Sequence, residues 1–244
     1  MKVLVMGASG ATGRQLVEQL LLMGHQVKAI ARSPQKLPET WRNNRDVSII
    51  EASISEMSKD EMATHLSDCD AAASCLGHNL TFKGIYGKPR KLVRDAVALV
   101  CRAIKDRSPQ QPLKFVLMNT TGNSNRDLNE PLSFGHRAIV ALLRILLPPQ
   151  PDNEQAADYL RVNIGQDDSA VEWVAVRPDS LVDEPKVSSY TLHPSPTRSA
   201  LFDPGKTSRI NVGNFMARLV SDEGLWNQWS GQMPVIYNVE TPQK

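Results

Sequence analysis

Gly7, Gly10 and Gly13 stand three residues apart in the run Gly7-Ala8-Ser9-Gly10-Ala11-Thr12-Gly13. Glycines at this spacing let a chain turn tightly, let backbone approach a ligand, and let the following helix pack closely on the turn. The chemistry this suits is anion binding. N–H groups at a helix start have no intrahelical acceptor, and the positive end of the helix dipole favours a pyrophosphate beside them. Ala11 lies among those backbone donors, and the Ser9 and Thr12 hydroxyls can add to them. A second group follows at Arg32-Ser33. A guanidinium can hold a phosphate by two charge-assisted bonds and stack on adenine, and the Ser33 hydroxyl offers another donor. An acidic residue there would bind ribose hydroxyls and repel a 2′-phosphate, so the pair points to NADP(H) as cofactor. The plainer alternative is a solvated arginine before Pro34.

These groups need a strand, a helix and a second strand to hold them. Lys2–Met6 reads as a buried strand running into the glycines, and Leu16, Val17, Leu20, Leu21 and Met23 give the next segment a helical apolar face. Gly24 and His25 end that helix, and Gln26–Ala31 supplies the second strand. Further strands are expected at 47–50, 70–76, 113–118, 171–176 and 234–239. Helices are expected over 59–66, 92–104, 136–147, 153–163 and 211–221. The alternation implies an α/β, Rossmann-like, doubly wound parallel sheet with helices on both faces. Residues 1–244 form one domain on this reading. The Ser-, Pro- and Thr-rich stretch 187–208 is a small substrate-side excursion from it, a surface loop or lid.

Composition narrows the partners. A net charge of +2 and a pI near 8.4 over 244 residues argue against nucleic acid and against anionic membranes. Lys83, Lys88, Arg90, Lys91 and Arg94 cluster, either as a landing site for an anionic substrate or as a solvated helix start. The apolar stretch from Ala138 to Leu147 is broken by Arg144 and is far short of the roughly 20 residues that span a bilayer. With the first core strand at residue 2 and no signal peptide before it, a cytoplasmic location is expected. Cys69, Cys75 and Cys101 make no CxxC pair and no even disulfide framework, and read as reduced core residues. No His/Cys cluster suggests a metal.

The glycine run, Arg32, the strand ending Ser74-Cys75-Leu76-Gly77, the segment Asn119-Thr120-Thr121-Gly122 and the turn Val176-Arg177-Pro178 together resemble the atypical short-chain dehydrogenase/reductases. The likeness is to the NAD(P)H-binding group that includes biliverdin IX-beta/flavin reductase-like and nitrogen-metabolite-regulator-like proteins. It implies that Cys75, Leu76 and Gly77 border the ribose and nicotinamide, and that Asn119 and Thr120 face the reacting ring. The Arg177-Pro178 turn would shape the substrate side. Ala52-Ser53-Ile54 stands where the family usually places an acidic residue against adenine, which leaves Ser53 and Ile54 as the contacts there.

The resemblance departs at the catalytic pair, a Tyr with Lys four residues later, whose ammonium lowers the phenol pKa for proton transfer. Here Tyr86, Tyr159, Tyr190 and Tyr237 are followed at that spacing by Arg90, Asn163, Pro194 and Thr241. Tyr159 falls near the expected helix and reads as a substrate wall or packing residue. Thr120 and Thr121 either orient a carbonyl or cap their loop, and His78 and His136 are weaker proton-transfer candidates. Transfer of hydride from NADPH to a conjugated small-molecule acceptor, such as a quinone or flavin, can proceed without a tyrosine acid, with solvent supplying the proton. The alternative is a non-catalytic NADP(H)-responsive binding protein, whose loop from Gly77 to Pro89 changes with occupancy. Nucleotide-sugar epimerisation would want the absent Tyr–Lys pair.

Overall fold

A computed structural model describes residues 1–78, 81, 86–128, 130, 147–200 and 202–239. Its strands are β1 (Lys2–Met6), β2 (Gln26–Ala31), β3 (Val47–Glu51), β4 (Ala71–Ser74), β5 (Leu113–Met118), β6 (Val171–Pro178), β7 (Ser180–Val182), β8 (Tyr190–His193), β9 (Lys206–Ser208) and β10 (Val235–Asn238). Its α-helices are α1 (Ala11–Leu22), α2 (Glu39–Arg42), α3 (Lys59–Leu66), α4 (Leu92–Asp106), α5 (Pro149–Asp158), α6 (Arg209–Ser221) and α7 (Glu223–Trp229). One eight-stranded sheet has the order β3-β2-β1-β4-β5-β6-β10-β8, parallel except for antiparallel β8 at the edge. β7 and β9 form a separate parallel pair.

Alternation along the strands divides the core. Val3 and Val5 point to one face with Leu16, Leu20, Phe215, Trp226 and Trp41, whereas Leu4 and Met6 point to the other with Met62, Val97, Ile104 and Trp173. One layer is therefore α1, α6 and α7, and the opposite layer is α3, α4 and α5. α4 carries Val93, Val97, Val100 and Ile104 fully buried on one face, each such side chain contributing about 1.5–3 kcal/mol through area removed from water. The doubly wound α/β architecture is as expected.

The differences are local. β4 stops at Ser74 rather than residue 76, although the Cys75 N–H still reaches the Met6 carbonyl at 2.9 Å. β6 extends to Pro178, since the Arg177 and Pro178 register continues against β10. The expected helix 153–163 begins at Pro149, whose missing N–H costs nothing at a helix start, and passes into a π-type turn over Tyr159–Ile164. The stretch 187–208 is only partly an excursion. Tyr190 and Leu192 alternate onto the α1–α6 core, so β8 joins the main sheet instead of leaving it. The helix expected over 136–147 falls on residues outside those described, except Leu147, as do His136 and Lys83.

Candidate functional site

Strand order reverses at the β1/β4 junction, the position where doubly wound sheets open a crevice at their carboxyl ends. The glycine turn is built into that junction. Gly7 has φ +77°, and a Cβ on it would lie 2.8 Å from the Cys75 backbone. A Cβ on Gly13 would lie 2.1 Å from the Gly7 carbonyl oxygen, so α1 presses directly on the turn. Gly10 closes the turn with its N–H on the Gly7 carbonyl at 3.0 Å, and acts as N-cap of α1. No side chain caps α1, and its first turn has no acidic residue. Its leading N–H groups are thus left for an external anion.

From this turn a cleft with about 680 Å³ of open space runs across the strand ends. Gly7, Ser9 and Gly10 form one end. Ile30, Ala31 and Arg32 line it from β2, and Ala52, Ser53, Ile54 and Ser55 from beyond β3. Cys75, Leu76 and Gly77 follow β4, with Pro89 and Leu92 completing the far wall. No carboxylate is among these lining residues. Arg32 is exposed and makes no hydrogen bond or ion pair with a described residue, so its guanidinium is available to a ligand. Arg14, in the first turn of α1, donates to the Lys36 carbonyl at 2.5 Å and ties the loop after β2 to that helix. Burial pushes the Cys75 thiol up to about 12, which leaves a neutral wall rather than a nucleophile.

The sequence candidates divide accordingly. Gly7, Ser9, Gly10, Arg32, Ser53, Ile54, Cys75, Leu76 and Gly77 converge on one cleft. Ala11, Thr12 and Gly13 form the first turn of α1 beneath it, and Ser33 precedes the short 3-10 turn Pro34–Lys36 without lining the cleft. Ala31, Ala52 and Ser55 are additional lining residues. They were recoverable as the residues flanking the ends of β2 and β3.

At the end of β5 the side chains serve their own loop. The Asn119 side chain accepts from Thr120 N–H at 2.8 Å and donates to the Asn153 carbonyl at 3.0 Å. Thr120 accepts from Gly122 N–H at 3.2 Å, the loop-capping arrangement of the two expected. Thr121 is buried and its hydroxyl donates to Asp179. Burial pushes the Asp179 carboxyl above its ordinary value, although Gly205 N–H also donates to it at 2.9 Å. Tyr159 lies away from the cleft lining, packed against the α4-side core with the Arg94 guanidinium 5.7 Å from its ring centroid.

Two buried polar pairs have no local sequence signal. Arg177, fully buried, donates to Glu130 at 2.8 Å and to the Met233, Asn123 and Pro194 carbonyls. It fixes the loops beyond β5, β8 and α7 against the end of β6. His78 Nε2 lies 2.7 Å from Asp152 Oδ2, with the two side chains 4% and 0% exposed. Among the described residues there is no cluster of His, Cys, Asp and Glu suited to a metal, and no helix long and apolar enough to cross a membrane.

A family model described as NAD(P)H-binding matches residues 7–223. An oxidoreductase from Lactococcus lactis superimposes with a TM-score of 0.70 at 18% identity, over 99% of this chain and 92% of that one. A short-chain dehydrogenase/reductase from Veillonella parvula, solved with NADP, gives 0.70 at 14% identity over 99% and 96%. A protein from Streptococcus pneumoniae described as a candidate NADH-flavin reductase gives 0.65 at 19% over 98% and 100%. In sequence, an uncharacterised chloroplast protein of Arabidopsis thaliana is 36% identical over 74 residues, 30% of this chain and 26% of the plant protein. The match of the family model, which spans the glycine turn and the cleft, places the chain in the NAD(P)H-binding family.

Proposed function

We propose that the protein is an NADPH-dependent reductase that transfers hydride to a conjugated acceptor such as a quinone or flavin. The observation that carries the reading is the cleft itself. It joins an uncapped helix start to an unpaired Arg32 and has no carboxylate along its lining. The uncapped N–H groups of α1 would hold the pyrophosphate, Arg32 would meet the 2′-phosphate, and Ile54 and Ala52 would give adenine an apolar seat. NADPH, when bound, supplies the hydride. The protein's part is to hold the nicotinamide end beyond Gly77 and bring an electron-poor ring against it. None of the described tyrosines has Lys four residues later, so a reaction that needs no phenolic acid suits the chain best. Cys69, Cys75 and Cys101 are free thiols, in keeping with the cytoplasmic location proposed here.

Calorimetry with NADPH and NADH, followed by a screen of quinones and flavins for NADPH oxidation, tests the reading. Tighter NADPH binding with turnover of at least one acceptor is expected. Equal affinities would remove the Arg32 assignment. Tight NADPH binding with no turnover, together with altered hydrogen exchange in residues 77–89, would replace the reductase by an NADP(H)-responsive binding protein.

A further inference from the structure

We propose that a groove along α4, beside the cofactor cleft but separate from it, binds an amphipathic carboxylate with a medium-length hydrocarbon chain. The groove has about 720 Å³ of open space and shares Ile54, Ser55, Pro89 and Leu92 with the cleft. Those four residues are therefore a wall between two spaces. The cleft side of Ile54 is the seat read above for adenine, so the groove runs away from the glycine turn and the reacting end of a dinucleotide.

Helix periodicity explains why the second space exists. Leu92, Ala96, Leu99 and Arg102 recur at steps of three and four residues and form one stripe down α4. The sheet buries a different stripe, with Val93, Val97, Val100 and Ile104 wholly enclosed. Leu92 and Leu99 are only half-buried, as is Met57 on the opposite side of the groove. α3 begins only at Lys59, so the segment that leads to it from β3 passes the upper part of the stripe without a helix to cover it. Apolar side chains thus surround open space, and a hydrocarbon chain laid along them would remove that surface from water.

Charge selects the head group. Three of the charged residues that line the groove are cationic, Lys59, Lys91 and Arg102, against a single carboxylate, Asp95. Asp95 already accepts from the Arg94 guanidinium at 2.8 Å, and the Lys59 ammonium is paired with Asp106. Arg102 differs. Its Nε donates to the Ala98 carbonyl at 3.2 Å, which orients the guanidinium without neutralising it, and it has no ion pair with a described residue. A guanidinium held in this way suits a carboxylate, which it can meet with two parallel charge-assisted bonds. Arg102 stands ten residues beyond Leu92, about 15 Å down the helix axis. The head group at Arg102 therefore leaves the length of the Leu99–Ala96–Leu92 stripe to the chain, whose end reaches the wall shared with the cleft.

The test is calorimetry on the cofactor-free full chain with hexanoate, octanoate and decanoate, so its outcome does not depend on the reading of the cleft. Saturable one-site binding is expected, with affinity rising about threefold per added methylene, as a buried chain requires. Decylamine, which has the same chain and a cationic head, should bind at least about tenfold more weakly than decanoate. R102E changes an exposed side chain and should weaken decanoate by about tenfold or more, while L99Q should weaken it about fivefold by wetting the chain's path. G10D should bind decanoate within about twofold of the unmutated protein, because the open start of α1 is not the site. Absence of saturable binding, equal affinities for hexanoate and decanoate, or undiminished binding in R102E would each overturn the proposal. Loss of decanoate binding in G10D would also overturn it, by placing the carboxylate at the glycine turn. A protein that binds decanoate in this pattern but neither NADPH nor NADH would keep the groove and lose the cofactor reading.

Discussion

The N-termini of α1 and α4 lie at the same carboxyl edge of the sheet, yet they are finished in opposite ways. α1 begins at Gly10 with no side-chain cap and no acidic residue in its first turn. α4 has its first N–H groups taken by both oxygens of Asp152, a residue contributed by α5. Each helix start presents unsatisfied donors and a partial positive charge, so each attracts an anion. At α4 the protein supplies that anion itself. At α1 the glycine backbone keeps the space open, and the complementary charge must come from a ligand. The contrast separates a binding terminus from a structural one by what fills it, where helix geometry alone would not.

The strongest way to break the comparison is to make α1 resemble α4. Gly10→Asp places a carboxylate at the N-cap, where Asp is a favoured residue, and a Cβ there would sit 3.3 Å from the Gly7 oxygen, tight but reachable by a small shift. The introduced side chain would take the donors the pyrophosphate needs and repel its charge. NADPH and NADH binding should both fall by a hundredfold or more, about 3 kcal/mol, while unfolding stability changes by no more than about 1 kcal/mol. Calorimetry and denaturant titration read the two quantities separately. Near-normal affinity in a folded variant would mean that the pyrophosphate lies elsewhere.

Making α4 resemble α1 should have the reverse signature. Asp152→Ala removes the cap and the carboxylate that His78 Nε2 meets, and loss of a buried hydrogen-bonded carboxylate costs about 3 kcal/mol of stability. Cofactor affinity should change little at a temperature where the variant remains folded. A midpoint in urea unchanged from the unmutated protein would show that Asp152 is no keystone of this corner. Arg32→Ala is smaller and selective. It should weaken NADPH by about 1.5–3 kcal/mol and leave NADH nearly untouched, since only the former carries a 2′-phosphate for the unpaired guanidinium. Parallel loss of both cofactors would point to a general role in shaping the loop.

The two termini also differ in how far they could be read from sequence. Everything that leaves α1 open is local: Gly7 to Gly13 lie within seven residues, and Arg32 follows the next strand directly. The cleft wall at Ser53, Ile54 and Cys75 to Gly77 was legible for the same reason, because strand ends in this fold face the ligand. Asp152 was not, since it acts on residues 74 and 59 positions away. Glu130, 47 positions from Arg177, was hidden likewise. β8 was missed for a different reason. Tyr190 and Leu192 alternate correctly, but their strand is only four residues long and sits among Ser, Pro and Thr, which outweigh so short a period.

The smallest expected effect concerns Tyr159, and it sharpens the comparison by asking whether the corner closed by Asp152 contains a proton donor. Tyr159 begins the π-type turn that continues α5, one helical segment on from Asp152. Its ring meets the Arg94 guanidinium at 5.7 Å and packs on the α4-side core, while no part of it lines the cleft. Tyr159→Phe keeps the ring and the cation–π contact and removes only the hydroxyl. Turnover with any acceptor should stay within about twofold of the unmutated protein, and stability within about 0.5 kcal/mol, because a packing ring loses little when its hydroxyl goes. A positioned general acid would instead lose roughly 10²–10⁴-fold in turnover with cofactor affinity preserved. Tyr159→Ala separates the two roles further, since it should lower stability by about 3 kcal/mol through lost packing whichever group delivers the proton. A large drop in turnover for Tyr159→Phe, with folding and NADPH affinity intact, would assign the proton-donating role to this hydroxyl. It would also require the described corner to rearrange when substrate binds.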